Sequence, residues 1–508
     1  MKSEYEQQQQ IDAEIFETRE KDWRNGAIIY QVFVDRFAPS NNLSAKAHLY
    51  PEPKKLHPWN EEPVHGKFLP EERVWSHEID FWGGDLQSLA SKLGHITDLG
   101  ANVLYLNPIH LATTNHKYDA TDYMQVSAEY GTMDDLQALI NQAHQHSLKV
   151  MLDGVFNHVG VQNPIYQTAL ADPRSPYRDW FTFNPKFSHG VGLWSNAPSL
   201  PELRFENQEV RDYIYEARNS VVRSYLRMGI DGWRLDTAFE LGFNYLEELT
   251  RAAHEENSGS AVIGEIHNYP QGWFPALDGV MNFTARHIIY GALKNEITPA
   301  VALAMLTKMI EDAGMEPMLR SWMVLDNHDT ARLPHTLPQP WQQQMAQVLQ
   351  FTLPGSPNLY YGVEVGMDGG EDPKNRAPMR WDLVKESNPH LAWIRKLIGI
   401  RKDNRALAIG DYRPLVCGKL IAFERYTDRI DDTVIVIVNP GDSTVEETTL
   451  LADSRLMNHG KFTDLLGGNT EIRIFSGLIR VKIPAHGFAI LNPVTGLDDS
   501  YTSYKRIR

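Results

Sequence analysis

The sequence predicts an α/β protein: a (β/α)8 TIM barrel with an inserted loop domain after the third strand and a C-terminal antiparallel β-sandwich. Three observations predict it. Short apolar runs recur between residues 26 and 405, and segments of helical period lie between them. Two of the connections are far longer than the rest. Beyond residue 405 the texture turns to short alternating segments punctuated by Gly and Pro.

The first run, residues 27–34, is rich in β-branched and aromatic residues and reads as a buried strand. Runs follow at 102–106, 149–153, 232–235, 261–264, 321–325 and 358–361, and a weaker one at 279–283 completes the eight that close a barrel. Helices are expected at 86–99, 133–146 and 209–228. The long connections, 38–81 and 158–207, leave the C-terminal ends of the first and third strands, where a barrel carries its chemistry. The chain thus divides into an N-terminal extension (1–25), a catalytic barrel (26–405) holding an inserted B domain (158–207), a sandwich (406–495) and a solvated tail (496–508).

Composition narrows the function. A net charge of −16 disfavours nucleic acid, whose binding needs Lys and Arg against phosphates. No apolar run approaches the ~18 residues of a membrane span. One cysteine, Cys417, excludes an intrachain disulfide, and with a polar N-terminus predicts a cytoplasmic protein.

Three carboxylates end apolar runs: Asp236 in Gly232-Trp233-Arg234-Leu235-Asp236, Glu265 after Gly264, and Asp329 in Asn327-His328-Asp329. Convergence at one end of a parallel barrel would set them in a single site. Retaining glycoside hydrolysis needs such a set: one carboxylate as nucleophile and another, protonated, as general acid. Taken singly, each also reads as a strand-end residue capping the next helix. Arg234 shifts the balance, because strand alternation puts it on the same face as Asp236, where its charge would hold Asp236 ionised.

With Asp153-Gly154-Val155-Phe156-Asn157-His158, these segments form four ordered motifs that resemble the signature regions of the α-amylase family, glycoside hydrolase family 13. The resemblance runs from about residue 26 to 493. It implies that Asp236 is the nucleophile, Glu265 the general acid and base with a raised pKa, and Asp329 a third carboxylate gripping sugar hydroxyls. It implies too that His158 and His328 donate to the sugar and that Asp153 orients the network. By the same resemblance Tyr118, in the segment 115–123, stacks on the ring, and Asp372 and Arg376, in 369–376, close around it.

The segments 81–85, 115–123 and 376–381 look most like the cyclomaltodextrinase, neopullulanase and maltogenic amylase group. Three departures stand out. The first strand begins near Gly26, which leaves no room for that group's N-terminal domain and favours a monomer over a dimer. The auxiliary motif reads Leu200-Pro201-Glu202-Leu203-Arg204. The residues after Asp236 read Thr237-Ala238-Phe239-Glu240, which makes Glu240 a candidate on the acceptor side. No cofactor is required by this chemistry; calcium is a candidate through Asn157, which alone is short of the oxygen ligands it needs, with Asp172, Asp179, Glu202 and Glu206 of the long third connection as further candidates.

The expectation is a retaining hydrolase of α-1,4 bonds in malto-oligosaccharides, cyclodextrins or related α-glucans, acting through a covalent glucosyl intermediate on an oligosaccharide substrate. Its rivals are an exo-acting α-glucosidase or transglycosylase of the same family and, from another class, a non-catalytic sugar-binding barrel, which the retained carboxylates and Arg234 argue against.

Overall fold

A computed structural model describes residues 4–468, 472–497 and 500–507. Eight parallel strands close a barrel: β1 (Ile29–Val32), β2 (Val103–Leu106), β3 (Lys149–Gly154), β4 (Gly232–Leu235), β5 (Ala261–Ile266), β6 (Gly279–Asn282), β7 (Trp322–Val324) and β8 (Ser356–Tyr360). Each pairs with the next, and β1 pairs with both β2 and β8. The weakest run in the sequence is the real sixth strand; it meets β7 through the single pair Met281–Trp322.

Inward residues such as Ile29, Val103, Met151, Ile263 and Trp322 fill the barrel interior below the site, while outward residues join the larger core shared with the helices. Gly232 and Gly264 are needed where strands crowd. A Cβ on Gly232 would stand 2.3 Å from the Ala261 carbonyl oxygen, and one on Gly264 would stand 2.4 Å from Leu277 Cδ1.

Two predicted helices are broken. The segment 209–228 runs as Gln208–Arg211 and a wider turn, Asp212–Glu216, then restarts at Val221–Met228. Ala217 is extended there, and Arg223 Nε donates to the Tyr215 carbonyl across the break. The apolar spacing runs unbroken through this point, so packing overrides a pattern that reads as continuous. Likewise 86–99 divides into Leu86–Ala90 and Leu93–Leu99.

The C-terminal strands are β9 (Asp411–Pro414), β10 (Ile421–Tyr426), β11 (Val434–Val438), β12 (Val445–Leu450), β13 (Phe462–Asp464), β14 (Ile474–Phe475), β15 (Leu478–Ile483) and β16 (Phe488–Pro493). They form sheets ordered β9-β10-β11-β16-β13 and β12-β15-β14, whose inner faces share Ile435, Ile437, Ile479 and Val481. β14 and β15 form a hairpin, turned where Ser476 and Gly477 both take positive φ.

The extension is a helix, Glu4–Lys21, docked by Arg19, which pairs at 2.8 Å with both Glu316 of the barrel segment and Asp411 of β9. The expectation of a solvated tail over 496–508 is corrected at Tyr504, which is buried in the sandwich core and accepts from the Met457 amide; residues 498, 499 and 508 lie outside the described residues. Among the described residues no helix is long and apolar enough to cross a membrane.

Candidate active site

Strand register explains how the charged residues meet. Arg234 on β4 stands directly opposite Asp153 on β3, so both side chains leave the same face of the sheet into the barrel mouth. Asp236 lies two residues beyond Arg234 on that face, and Glu265 comes from the top of β5. The fully buried Arg234 guanidinium gathers all three. Nη1 donates to Asp153 Oδ1 at 2.8 Å and to Asp236 Oδ1 at 2.9 Å. Nη2 stands 2.9 Å from Glu265 Oε1, an ion contact made off the hydrogen-bonding direction.

The charges around this guanidinium do not divide as expected. Burial raises Asp236 well above the ordinary carboxylate range; Arg234 opposes this, and the neighbouring Glu265, Asp153 and Asp329 charges add to it. Burial also pushes on Glu265, but Arg234, His267 at 3.4 Å and the Thr237 amide outweigh it and hold Glu265 below its usual value. Burial and the neighbouring carboxylates thus work against the charge on Asp236, while Arg234, His267 and the Thr237 amide favour the charge on Glu265. One guanidinium is shared by three carboxylates, and Glu265 also accepts from the Thr237 amide and stands beside His267.

Thr237 makes this possible through its backbone. It takes the left-handed conformation (φ 40°, ψ 41°), which a β-branched residue rarely adopts, and so turns its amide onto Glu265 Oε2 at 3.0 Å.

Asp329 opens to the cavity, with 42% of its side chain exposed. Burial acts to raise it, but His328 and Arg376 outweigh that and hold it below the usual carboxylate range. Its Oδ2 is 2.8 Å from His328 Nε2 and its Oδ1 accepts from Arg376 Nη2 at 3.2 Å. Arg376 also stands 3.3 Å from Asp372 Oδ1 and donates through Nε to the His328 carbonyl.

His328 is fully buried, and its tautomer follows from its neighbours. Gln31 Nε2 donates to Nδ1 at 2.9 Å, which leaves the proton on Nε2, facing Asp329 and the Tyr118 hydroxyl. Gln31 is itself oriented by Asn358, which donates to its Oε1, and by Asn107, which accepts from its amide. Tyr118 donates to Asp153 Oδ2 at 3.1 Å, and Tyr105 donates to the same oxygen at 2.6 Å. His158 packs on Trp194, and burial pushes its pKa down to about 3, so it is neutral.

These groups border one cavity of about 490 Å³, including Tyr118, His158, Asp236, Glu265, Asp329 and Arg376. Asp372 joins them there, while Asp153, Arg234 and His328 lie beneath its floor. Glu240 does not join them. It accepts from Asn157 at 3.4 Å and borders a second, smaller cavity with Glu202 and Glu206, because the turn after Thr237 carries it away from the carboxylates. Asn157 thus faces a carboxylate as a donor, and among the described residues no three His, Cys, Asp or Glu side chains gather as a metal site.

Gln31, Tyr105, His267 and the Thr237 backbone were not singled out from sequence. Gln31 is a polar residue inside the apolar first strand, and that mismatch is the signal that could have found it.

A barrel mouth holding two carboxylates on one arginine at the edge of a cavity has the groups that a retaining glycoside hydrolase needs. Comparison with known proteins gives the family: residues 31–410 match the α-amylase catalytic domain, and the chain belongs to the α-amylase family. It is 32% identical to a cyclomaltodextrinase from a Bacillus species over 82% of this chain and 73% of that protein. It is 31% identical to neopullulanase 2 of Thermoactinomyces vulgaris over 94% and 80%. Among solved structures it is similar to the cyclic α-maltosyl-(1→6)-maltose hydrolase of Arthrobacter globiformis, with a TM-score of 0.77 at 27% identity, covering 93% of this chain and 99% of that one.

Proposed function

We propose that the chain hydrolyses α-1,4 bonds of malto-oligosaccharides or cyclodextrins in the cytoplasm, with Asp236 as nucleophile and Glu265 as general acid and base. The observation that carries this reading is the single buried guanidinium holding Asp236 and Glu265 on two of its nitrogens at the floor of one cavity. Retention needs two carboxylates on one sugar in just such proximity, one to bond the anomeric carbon and one to hand a proton to the leaving oxygen. The unpaired Cys417 suits a reducing compartment.

Turnover needs the proton on Glu265 and the charge on Asp236, and a bound glucosyl ring favours both. Positive charge developing at the anomeric carbon lies against Asp236 and favours its ionised form, while the glycosidic oxygen beside Glu265 favours that residue's protonated form. Asp329, held ionised by His328 and Arg376, accepts from sugar hydroxyls, and Tyr118 offers its ring to the apolar sugar face. Asp236 then attacks, the glycosidic bond breaks, and the leaving oxygen takes the Glu265 proton. Glu265 next removes a proton from water as water releases the sugar from Asp236 with its α-configuration restored.

The test is the anomeric configuration of the first product from maltoheptaose and β-cyclodextrin, followed by NMR during turnover. An α-anomer formed first supports the proposal; a β-anomer, or no cleavage of either sugar, contradicts it. Calcium takes no part in these steps. Dialysis against EDTA is expected to leave kcat and the melting temperature within error, and a loss of either restored by Ca²⁺ would assign the ion a role.

A further inference from the structure

The first connection is not a plain loop. Within it Phe68–Leu69 pairs antiparallel with Val74–Trp75, a hairpin that stands at the rim of the cavity. Its sides alternate as a strand pair should. Val74 is buried in a small cluster with Tyr50, Ile79 and Phe81, which fixes the hairpin to the barrel. Phe68 and Trp75 pack edge to face at 5.8 Å, remain 41% and 42% exposed, and border the cavity. Their exposure is toward the site, not into a core.

The chemistry of the site tells which end of the cleft this is. Glu265 protonates the leaving oxygen, so the departing sugar lies past Glu265 and His267. The sugar that becomes bonded to Asp236 lies on the side of Asp329, Arg376 and Asp372. His77, at the foot of the hairpin, has Nε2 3.9 Å from Asp372 Oδ2, and it also accepts from the amide of Gly66, two residues before the hairpin. The hairpin therefore rises from the glycon side. Its tip residue Arg73 borders the cavity as well. On the facing wall, Trp194 and residues 197–200 of the third connection border the same space.

We propose that this hairpin caps the glycon end of the cleft, with Phe68 and Trp75 against the non-reducing terminal sugar, so that the protein acts from the free ends of short linear malto-oligosaccharides in preference to rings. The proposal rests on the roles assigned above to Asp236 and Glu265. A ring has no free end to place under a cap, and neither does a chain whose terminal sugar carries a bulky group.

The test compares maltoheptaose, maltoheptaose carrying a 4,6-ethylidene group on its non-reducing sugar, and β-cyclodextrin, each as kcat/KM, for the wild type and for Phe68→Ala/Trp75→Ala. The wild type is expected to favour free maltoheptaose over either other sugar by at least about 100-fold, and the double variant to narrow both ratios by about tenfold or more. A second variant, Phe68→Leu/Trp75→Leu, keeps apolar bulk on the hairpin and is expected to fall between the two. Equal wild-type rates on blocked and free maltoheptaose overturn the cap, as do unchanged ratios in the alanine variant with its melting temperature intact. A wild type that cleaves none of the three overturns the proposed hydrolysis and the cap with it.

Discussion

Replacing Asp236 with asparagine separates charge from shape at the centre of the site. The variant is expected to lose activity by on the order of 10⁴-fold or more, as removal of a nucleophile does. Its stability should move the other way. Asp236 is raised in the folded protein, so its contribution to stability declines as pH rises from the ordinary carboxylate range through the raised value, and above that the buried charge is a full cost. At neutral pH the asparagine removes this cost, and the melting temperature should rise; a fall would mean that the charge is better compensated than its surroundings indicate. Gln31 offers a second test. Gln31→Leu removes the donor that sets the His328 tautomer and leaves Nδ1 unpartnered, and should lower kcat by about 10- to 100-fold, corresponding to roughly 1–3 kcal/mol for a buried hydrogen bond. An unchanged kcat would show that the tautomer is set elsewhere. That Asp236, Glu265, Asp329 and Arg234 meet in one site was legible in sequence, because each sits in a motif at the end of an apolar run. The charge balance among them was not, since it depends on how one guanidinium is divided and on His267, which no motif marks.

At the scale of elements, close packing behind β5 sets where Glu265 points. Gly264 admits no side chain: beyond its clash with Leu277, an added Cβ would lie 3.1 Å from the Ala238 Cβ. Gly264→Ala is expected to cost about 1–3 kcal/mol of stability and to lower kcat more than it raises KM, because the strand must shift beneath the general acid. Denaturant unfolding beside steady-state kinetics checks both, and a stable variant with normal kcat would mean that β5 accommodates the methyl group without moving Glu265. Barrel strands were legible as apolar runs, including the weak sixth. The helix break at Ala217 was hidden because Ile214, Val221, Val222 and Tyr225 keep helical spacing across it. Nor was the rim hairpin visible, since each of its strands has only two residues and period two cannot declare itself over so short a run.

For the whole molecule, the fold puts every charged group of the site at one end of a single barrel, and the long first and third connections decide what reaches it. Family membership was carried by four motifs in order. The shape of the cleft was not legible, because it comes from loops brought together from residues 68–75 and 194–200, with no pattern linking them in sequence. The central claim is a glycosyl bond to Asp236, and trapping it is the most direct test. Incubation with 5-fluoro-α-D-glucosyl fluoride, which slows release of the sugar, should add one glycosyl mass to the intact protein, and peptide mapping should place it on Asp236. Label on Glu265 or Asp329, or rapid turnover through a β-product with no label at all, would contradict the account.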